Sequence, residues 1–389
     1  MPRTTGLFRI TKVPGAEGGR LEEVRAFVPA SLPPAHPPLL LEGALAALHA
    51  EALIALGRLG VAARMMPSAE WLLYGFVRKE AIVSSEIEGT QATLQDVVTF
   101  EATKRAERPD DVRDVCNYVA ALTFARAEIS SASGLPLSTR LLCGAHKRLM
   151  RGVRGADKMP GALRRSQNWI GGTRPGNARF VPPPPEVVPE LMANLDRWMH
   201  SNDALPPLVK AGLAHVQFET IHPFLDGNGR IGRLLITLLL EHWGLLKSPM
   251  LYLSLALKRR QQLYYAQLTA VREGGDWEGW TAFYLECVRE AADDGVRAAE
   301  RLFTLLGKDR ARLVKSDRAT LPSVRLLDLL PSNPIVTLSL ATRLLGVSKP
   351  TAIKAIEALE ASAILKETTG KRRDRVYAYQ KYLDVLCER

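Results

Sequence analysis

His222-Pro223-Phe224-Leu225-Asp226-Gly227-Asn228-Gly229-Arg230-Ile231-Gly232-Arg233 decides the reading of this chain. The residues before it, LVKAGLAHVQFETI, carry apolar side chains at helical spacing. Pro223 disfavours continuing that helix through His222. Gly227 and Gly229 permit a backbone that leaves several N–H groups pointing one way. The following run, IGRLLITLLLEHWG, is apolar over much of its surface and predicts a buried helix at the axis of a bundle. A buried helix that opens at its N-terminus into a Gly/Asn loop is an anion site, because unpaired amides and the helix dipole both favour negative charge. Arg230 and Arg233 fall in the first turn, where a cation is misplaced unless an anion lies between, so the stretch predicts phosphate.

Other chemistries can be weighed on the same residues. Gly227, Gly229 and Gly232 spell G-x-G-x-x-G, but the dinucleotide-binding version needs a preceding strand and the residues here are helical in period. No G-x-x-x-x-G-K-[ST] occurs. A lone histidine is usually structural. His222, however, stands beside the anion loop and four residues before a carboxylate, which favours a general base. His215, His222 and Asp226 could in principle share a transition metal, but Asp226 beside triphosphate oxygens is a better magnesium ligand.

Outward from this loop the chain is mainly helical. Residues 1–40 read as an irregular, partly extended arm ending in the proline-rich VPASLPPAHPP. Helical periodicity starts at Leu41 and returns through AEWLLYGFVRKEAIVSSEI, with Gly89 as a C-cap. Thr93 with Asp96 starts a new helix. Further helices are expected near 110–129, 138–152, 186–200, 207–221, 229–242, 257–273 and 276–306. QNWIGG and ARFVPPPP flank a GTRPGN turn, which predicts a β-hairpin at 167–181 closed by Pro182 to Pro185. Beyond it, LSLATRLLG, VSKPTAIKAIEALEASAIL and KETTGKRRDRVYAY read as helix, helix and two-stranded wing, with Ser348 as an N-cap and Pro350 in the first turn.

Composition sets the outer bounds. With 389 residues, 47% hydrophobic and 24% charged, the chain fits a soluble protein of two or three domains. The longest apolar run, Leu234 to Leu240, is too short for a membrane span, and the N-terminus lacks the apolar core of a signal peptide. A cytoplasmic protein without membrane contact is the expectation. Cys116, Cys143, Cys287 and Cys387 are scattered, which predicts reduced thiols. From Arg301 onward, 17 Lys/Arg stand against 9 Asp/Glu, so this end carries +8 of the net +11. That excess makes residues 315–389 the candidate contact for DNA.

HPFLDGNGRIGR resembles the Fic-family signature HPFx[D/E]GNGRxxR at every defined position. The similarity extends to the N-terminal helical region, the WIGG and FVPPPP hairpin and the C-terminal winged helix. It implies a mainly α, Fic-type helical bundle with a β-hairpin flap, plus a winged helix-turn-helix domain. The implied division is an arm and helical region at 1–110, a catalytic core at 111–306 and a winged-helix domain at 307–389. The implied activity is transfer of AMP from ATP to a Tyr, Thr or Ser hydroxyl of a target protein. By the resemblance His222 is the base and Asp226 holds Mg²⁺. Asn228, with the backbone of Gly227 and Gly229, forms an anion hole, and Arg230 and Arg233 bind the β- and γ-phosphates. Ile170 is similar to the apolar flap residue that presses on the acceptor segment.

SSEIEG, Ser84 to Gly89, matches the family's inhibitory pattern [S/T]xxxE[G/N]. Ser84 and Glu88 share a helix face. The resemblance implies that Glu88 competes with the γ-phosphate for Arg233, and in some relatives the same glutamate assists AMP removal. The block Gly370-Lys371-Arg372-Arg373-Asp374-Arg375 sits at the wing, though Glu357 and Glu360 lie on the candidate recognition helix. A second copy of the chain is a further partner compatible with the family. Two other functions stay open: a DNA-binding regulator whose core only senses nucleotide, and a transferase with a different donor. Tyr264 and Tyr265 are candidates near the donor base, with core packing as the plainer role.

Overall fold

The structure, a computed structural model, describes residues 3, 5–14, 21–66 and 68–388. In chain order its elements are β1 (Gly6–Pro14), β2 (Leu21–Pro29), α1 (Gly43–Met65), α2 (Ala69–Ile87), α3 (Leu94–Thr103), α4 (Pro109–Ser130), α5 (Thr139–Leu149), α6 (Val188–Met199), α7 (Pro207–Ile221), α8 (Asn228–His242), α9 (Leu253–Arg259), α10 (Gln261–Gly274), α11 (Trp277–Val314), α12 (Leu321–Leu329), β3 (Ile335–Thr337), α13 (Leu338–Leu345), α14 (Lys349–Ala361), β4 (Lys366–Glu367), β5 (Val376–Ala378) and α15 (Gln380–Cys387). The protein is mainly α, as expected. Its chain divides into two compact units: residues 1–56, 117–247 and 256–290 form one, and 57–116, 248–255 and 291–389 form the other.

The first unit is organised around α7 and α8. Every residue of α7 from Leu208 to Ile221 is buried, and so is α8 apart from its ends. Both are apolar on nearly all sides, which is why they form the axis and not a surface layer. Two glycines let neighbours approach closely. A Cβ on Gly232 would stand 2.4 Å from Glu219 Oε1, and one on Gly212 would stand 2.6 Å from Tyr284. Trp280 Nε1 donates to the carbonyl of Gly212 over 3.0 Å. Helix α6 turns Leu191, Met192, Leu195 and Trp198 inward and keeps its other face polar.

The arm expected as irregular is instead an antiparallel hairpin, β1 paired with β2 from Gly6↔Pro29 to Pro14↔Leu21. Residues 1, 2, 4 and 15–20 of the arm lie outside the described residues. Conversely, the hairpin expected at 167–181 contains a single bridge, Ile170↔Phe180, and a 3₁₀ turn at Pro175–Asn177. Pairing cannot extend past Val181 because Pro182 to Pro185 have no N–H to give. Phe27 N–H donates to the Val181 carbonyl over 2.9 Å, so β2 borders the second arm of this flap.

The second unit takes in the end of α1 from Gly57 and then α2, whose N-cap Ser68 accepts from Glu70 N–H. Glu88 is the C-cap of α2, and Gly89 beyond it is left-handed at φ 95°. Thr93 and Asp96 form the expected capping box of α3. At the C-terminal end, α12, α13 and α14 pack together beside a three-stranded sheet of order β3-β5-β4. The two strands expected there are present, and β3 joins them as a third. Tyr379 OH donates to Asp309 Oδ2 over 2.7 Å and Tyr382 OH to the Trp71 carbonyl over 2.7 Å, fixing the last helix to the unit. No disulfide joins the four cysteines.

By length and composition alone helix α1 is apolar enough to cross a membrane, a test that core helices of other folds also pass. Its apolarity is spread among alanines and glycines interrupted by His49 and Glu51.

Candidate active site

The loop at 222–228 is held in shape by donors aimed at its backbone carbonyls. Helix α7 stops at Ile221, and His222 takes a left-handed conformation at φ 50°, ψ 61°, with its N–H returned to the Phe218 carbonyl. A non-glycine residue in this region carries strain that its surroundings must offset. Arg164 supplies much of that support. It is 2% exposed, and its Nε donates to the His222 carbonyl over 2.9 Å. Its other nitrogens reach the carbonyls of Ser166, Ile221 and Pro183. Its own N–H donates to the Pro223 carbonyl. Burial lowers the Arg164 guanidinium to about 10, leaving it charged at neutral pH.

His146 does the same at the other end of the loop. The N–H of Gly161 donates to its Nδ1 over 2.9 Å, so the ring proton lies on Nε2 and is given to the Asp226 carbonyl over 3.0 Å. Burial lowers its pKa to about 4, which keeps the ring neutral. The imidazole also stacks on Phe224 with centroids 3.9 Å apart. Between these supports, Asn168 Nδ2 reaches the carbonyls of Phe224 and Leu225.

Asn228 closes the loop from inside. Its Oδ1 accepts from Phe224 N–H and its Nδ2 donates to the Phe224 carbonyl, both over 2.8 Å. The side chain expected to face an anion is therefore spent on loop shape. The anion-binding groups this end of α8 offers are its first-turn amides, which have no partner within a helix. Gly227 precedes them at φ 76°. Arg230, 5% exposed, lies in this turn, and Arg233, 3% exposed and expected beside it, falls in the next. Asp226 sits at the rim: Oδ1 accepts from Gly227 N–H over 2.7 Å and Oδ2 pairs with Lys158 over 3.2 Å.

The His222 imidazole is 16% exposed, with Nδ1 4.0 Å from Glu219 Oε2. Burial, reinforced by the charges of Arg272 and Arg164, holds its pKa at about 3, so it is a free base at neutral pH. Arg272 donates to Thr220 Oγ1 and the Glu219 carbonyl and lies 3.9 Å over the Phe180 ring, linking the flap to the end of α7. In the flap, Ile170 exchanges backbone hydrogen bonds with Phe180 and also accepts from Arg179 N–H. Arg174 pairs with Glu22 of β2 over 2.7 Å.

The first unit thus brings together His222, Asp226, Gly227, Asn228, Gly229, Arg230 and Arg233, with Ile170 on its flap. Ser84 and Glu88 belong to the second unit, where Ser84 is buried and Glu88 is exposed. His215 does not join a metal set: its Nε2 bonds Tyr264 OH over 2.8 Å, and the ring stacks on Trp280. No group of three or more His, Cys, Asp or Glu that could hold a metal occurs among the described residues. A magnesium ion would still fit, because this ion commonly takes one carboxylate with phosphate and water oxygens, and Asp226 already carries a cation at Oδ2. Tyr264 is core, 1% exposed. In the second unit, α14 lines a groove of about 1390 Å³ together with the end of α3 and residues 371–375.

Arg164, His146, Asn168, Lys158 and Arg272 were not singled out from sequence. One signal was available: His146 interrupts the apolar stripe of α5 between Leu142, Ala145 and Leu149.

Comparison with known proteins adds an independent line. A family model described as Fic/DOC family matches residues 136–240, and one described as Fic/DOC family N-terminal matches 46–127. The chain is 29% identical over 208 residues to a probable protein adenylyltransferase of Aquifex aeolicus, covering 53% of this chain and 58% of that protein. It is 27% identical over 212 residues to the protein adenylyltransferase Fic of Drosophila erecta, covering 53% and 39%. The chain therefore spans roughly half the length of these curated relatives. A crystal structure of a Fic family protein from Desulfovibrio desulfuricans G20 is similar with a TM-score of 0.58 at 26% identity, covering 88% of this chain and 97% of that one.

Proposed function

This chain belongs to the Fic/DOC family, and from that premise we propose that it is a protein adenylyltransferase, moving AMP from ATP to a hydroxyl side chain of a target protein. The observation that carries the reading is a half-buried histidine set beside the N-terminus of a buried helix that bears two arginines. An unprotonated imidazole has a lone pair free to accept a proton, and helix amides with arginines stabilise phosphate charge.

In this reading His222 takes the proton of the acceptor hydroxyl. The hydroxyl oxygen forms a bond to the α-phosphorus, the bond from that phosphorus to the bridging oxygen breaks, and pyrophosphate leaves with its electron pair. Arg230 and Arg233 hold the β- and γ-phosphates, and the amides of Asn228 and Gly229 face the anion, while the Gly227 N–H is held by Asp226. Asp226 would hold a magnesium ion, which when bound supplies neutralisation of phosphate charge. Ile170 and its strand register the target segment by backbone pairing, which suits a substrate recognised mainly through its main chain.

Glu88, with Ser84, is the inhibitory residue in this reading, competing with the γ-phosphate for Arg233, and AMP removal by the same glutamate belongs with it. The division at 110 and 306 and the winged-helix character of residues 307–389 are likewise proposed, supported by the order α12, β3, α13, α14, β4, β5. Basic residues at Lys349, Lys354 and 371–375 favour DNA as a contact of that domain, while Glu357 and Glu360 on the same face oppose it.

The test is intact-mass analysis after incubation with ATP and Mg²⁺. Wild type, Glu88→Gly and Glu88→Gly/His222→Ala are compared, with ATP labelled at its α-phosphate. One AMP added to Glu88→Gly and none to the double variant supports the reading. Unmodified protein in all three, with a cell extract as acceptor giving no labelled product, overturns it.

A further inference from the structure

We propose that Lys158 is a phosphate-binding residue of this site, and the cation that neutralises Asp226 until a divalent metal takes its place. The inference rests on the transferase reading above. Lys158 Nζ lies 3.2 Å from Asp226 Oδ2, with the two side chains 49% and 34% exposed. A pair so open to water contributes little to stability. Stability therefore does not account for the way the chain is built around it.

That construction is specific. Residue 155 is a left-handed glycine at φ +85°, and a Cβ there would stand 2.7 Å from Asp226 Oδ2 and 2.9 Å from Met150 Cε. Only glycine lets the backbone pass this close to the carboxylate. Lys158 N–H donates back to the Gly155 carbonyl over 2.9 Å, which closes the turn that presents the lysine. Three residues on, at Gly161, the same loop donates to His146 Nδ1, while Nε2 of that ring donates to the Asp226 carbonyl. One imidazole therefore ties down both the loop that carries the ammonium and the residue that carries the carboxylate.

The electrostatics give this arrangement a purpose. A carboxylate at the mouth of a triphosphate site repels its ligand unless a cation lies between. With metal present that need is met; without it, Lys158 meets it. Lysine suits the role better than arginine, being a compact charge on a flexible stem that can turn from the carboxylate to nearby phosphate oxygens. Once a divalent ion holds Asp226, the ammonium stays within reach as a third positive side chain beside Arg230 and Arg233.

Titration calorimetry of the full chain with ATP, in EDTA and in Mg²⁺, tests the assignment, with Mn²⁺ binding followed separately by electron paramagnetic resonance. Lys158→Ala should weaken metal-free ATP binding about tenfold, the usual scale for one lost charge-assisted contact, and weaken it less in Mg²⁺. Mn²⁺ should bind nucleotide-free Lys158→Ala more tightly than wild type, because its competitor is gone. Lys158→Arg should recover most of the ATP affinity. Metal-free ATP affinity of Lys158→Ala within twofold of wild type, or unchanged Mn²⁺ binding, overturns the proposal. Arg233→Ala separates the two levels. If it binds ATP like wild type, the site reading itself is wrong; if it loses ATP while Lys158→Ala does not, only the lysine's role is.

Discussion

Arg164 donates from Nε to the carbonyl oxygen of His222 over 2.9 Å, fastening a guanidinium to the backbone of the candidate base 58 residues away. Its partners among the described residues are carbonyls of the base, of the end of α7 and of the flap stem. Lysine in its place offers one nitrogen and no fork. Each buried carbonyl left without a donor costs about 1–3 kcal/mol. Arg164→Lys should lower the unfolding free energy by about 2–4 kcal/mol and reduce AMP transfer by more than it reduces ATP binding. Denaturant titration and calorimetry with ATP check both, and a variant with wild-type transfer removes Arg164 from the site's support.

Acid should destabilise the fold through its buried imidazoles. His146, His215 and His222 are held at about 4, 3 and 3, all lowered first by burial, against an ordinary value near 6.5. Below that value the unfolded chain takes up protons that the folded chain refuses. Their contribution is therefore complete above about pH 6.5 and is lost as pH falls toward the folded values. Each accounts for a slope of about 1.4 kcal/mol per pH unit in that window. His146→Gln should reduce the measured slope between pH 5 and 6 by roughly one proton; a slope equal to that of wild type contradicts the burial assignment.

Asn228 separates loop shape from anion contact. Alanine there removes both hydrogen bonds to Phe224, orphaning a buried N–H and leaving the carbonyl to Asn168 alone, at a cost of about 1–3 kcal/mol. Aspartate keeps an acceptor for the Phe224 N–H but forfeits the donor and adds negative charge where phosphate binds. Asn228→Asp should therefore lose at least tenfold in ATP affinity by calorimetry, and lose more than its change in thermal midpoint would imply.

Glu88 is a test of regulation. It caps α2 in the second unit, and glycine accepts the backbone geometry of a helix end without strain. Glu88→Gly should leave the thermal midpoint nearly unchanged and raise AMP incorporation tenfold or more at equal ATP and Mg²⁺. Incorporation equal to wild type would remove this residue as an inhibitor.

The parts that were legible from sequence are those whose physics is local. Thr93 and Asp96 announced the start of α3 because a capping box spans four residues. The ends of α7 and the start of α8 followed from Pro223 and Gly227, which act on their own backbone. The hairpin β1–β2 was missed because β1 is largely exposed, so no buried alternation marks it. His146 and Arg164 were missed for a different reason: they act on carbonyls 80 and 58 residues away, and a carbonyl carries no side-chain label. Asn228 was recognised, but its two bonds to Phe224 were not, since a short polar side chain beside a glycine loop can face either a ligand or its own backbone.

The contact between Phe27 and Val181 carries one more implication. It covers one flank of the flap, and in the proposed reading an incoming chain would lie on the other, the one bearing Ile170. Removing the first thirty residues would uncover the first flank as well. Such a fragment should become adhesive, gathering stray strands along a border with no hydroxyl to offer, and should run as larger species on a sizing column while the intact chain does not.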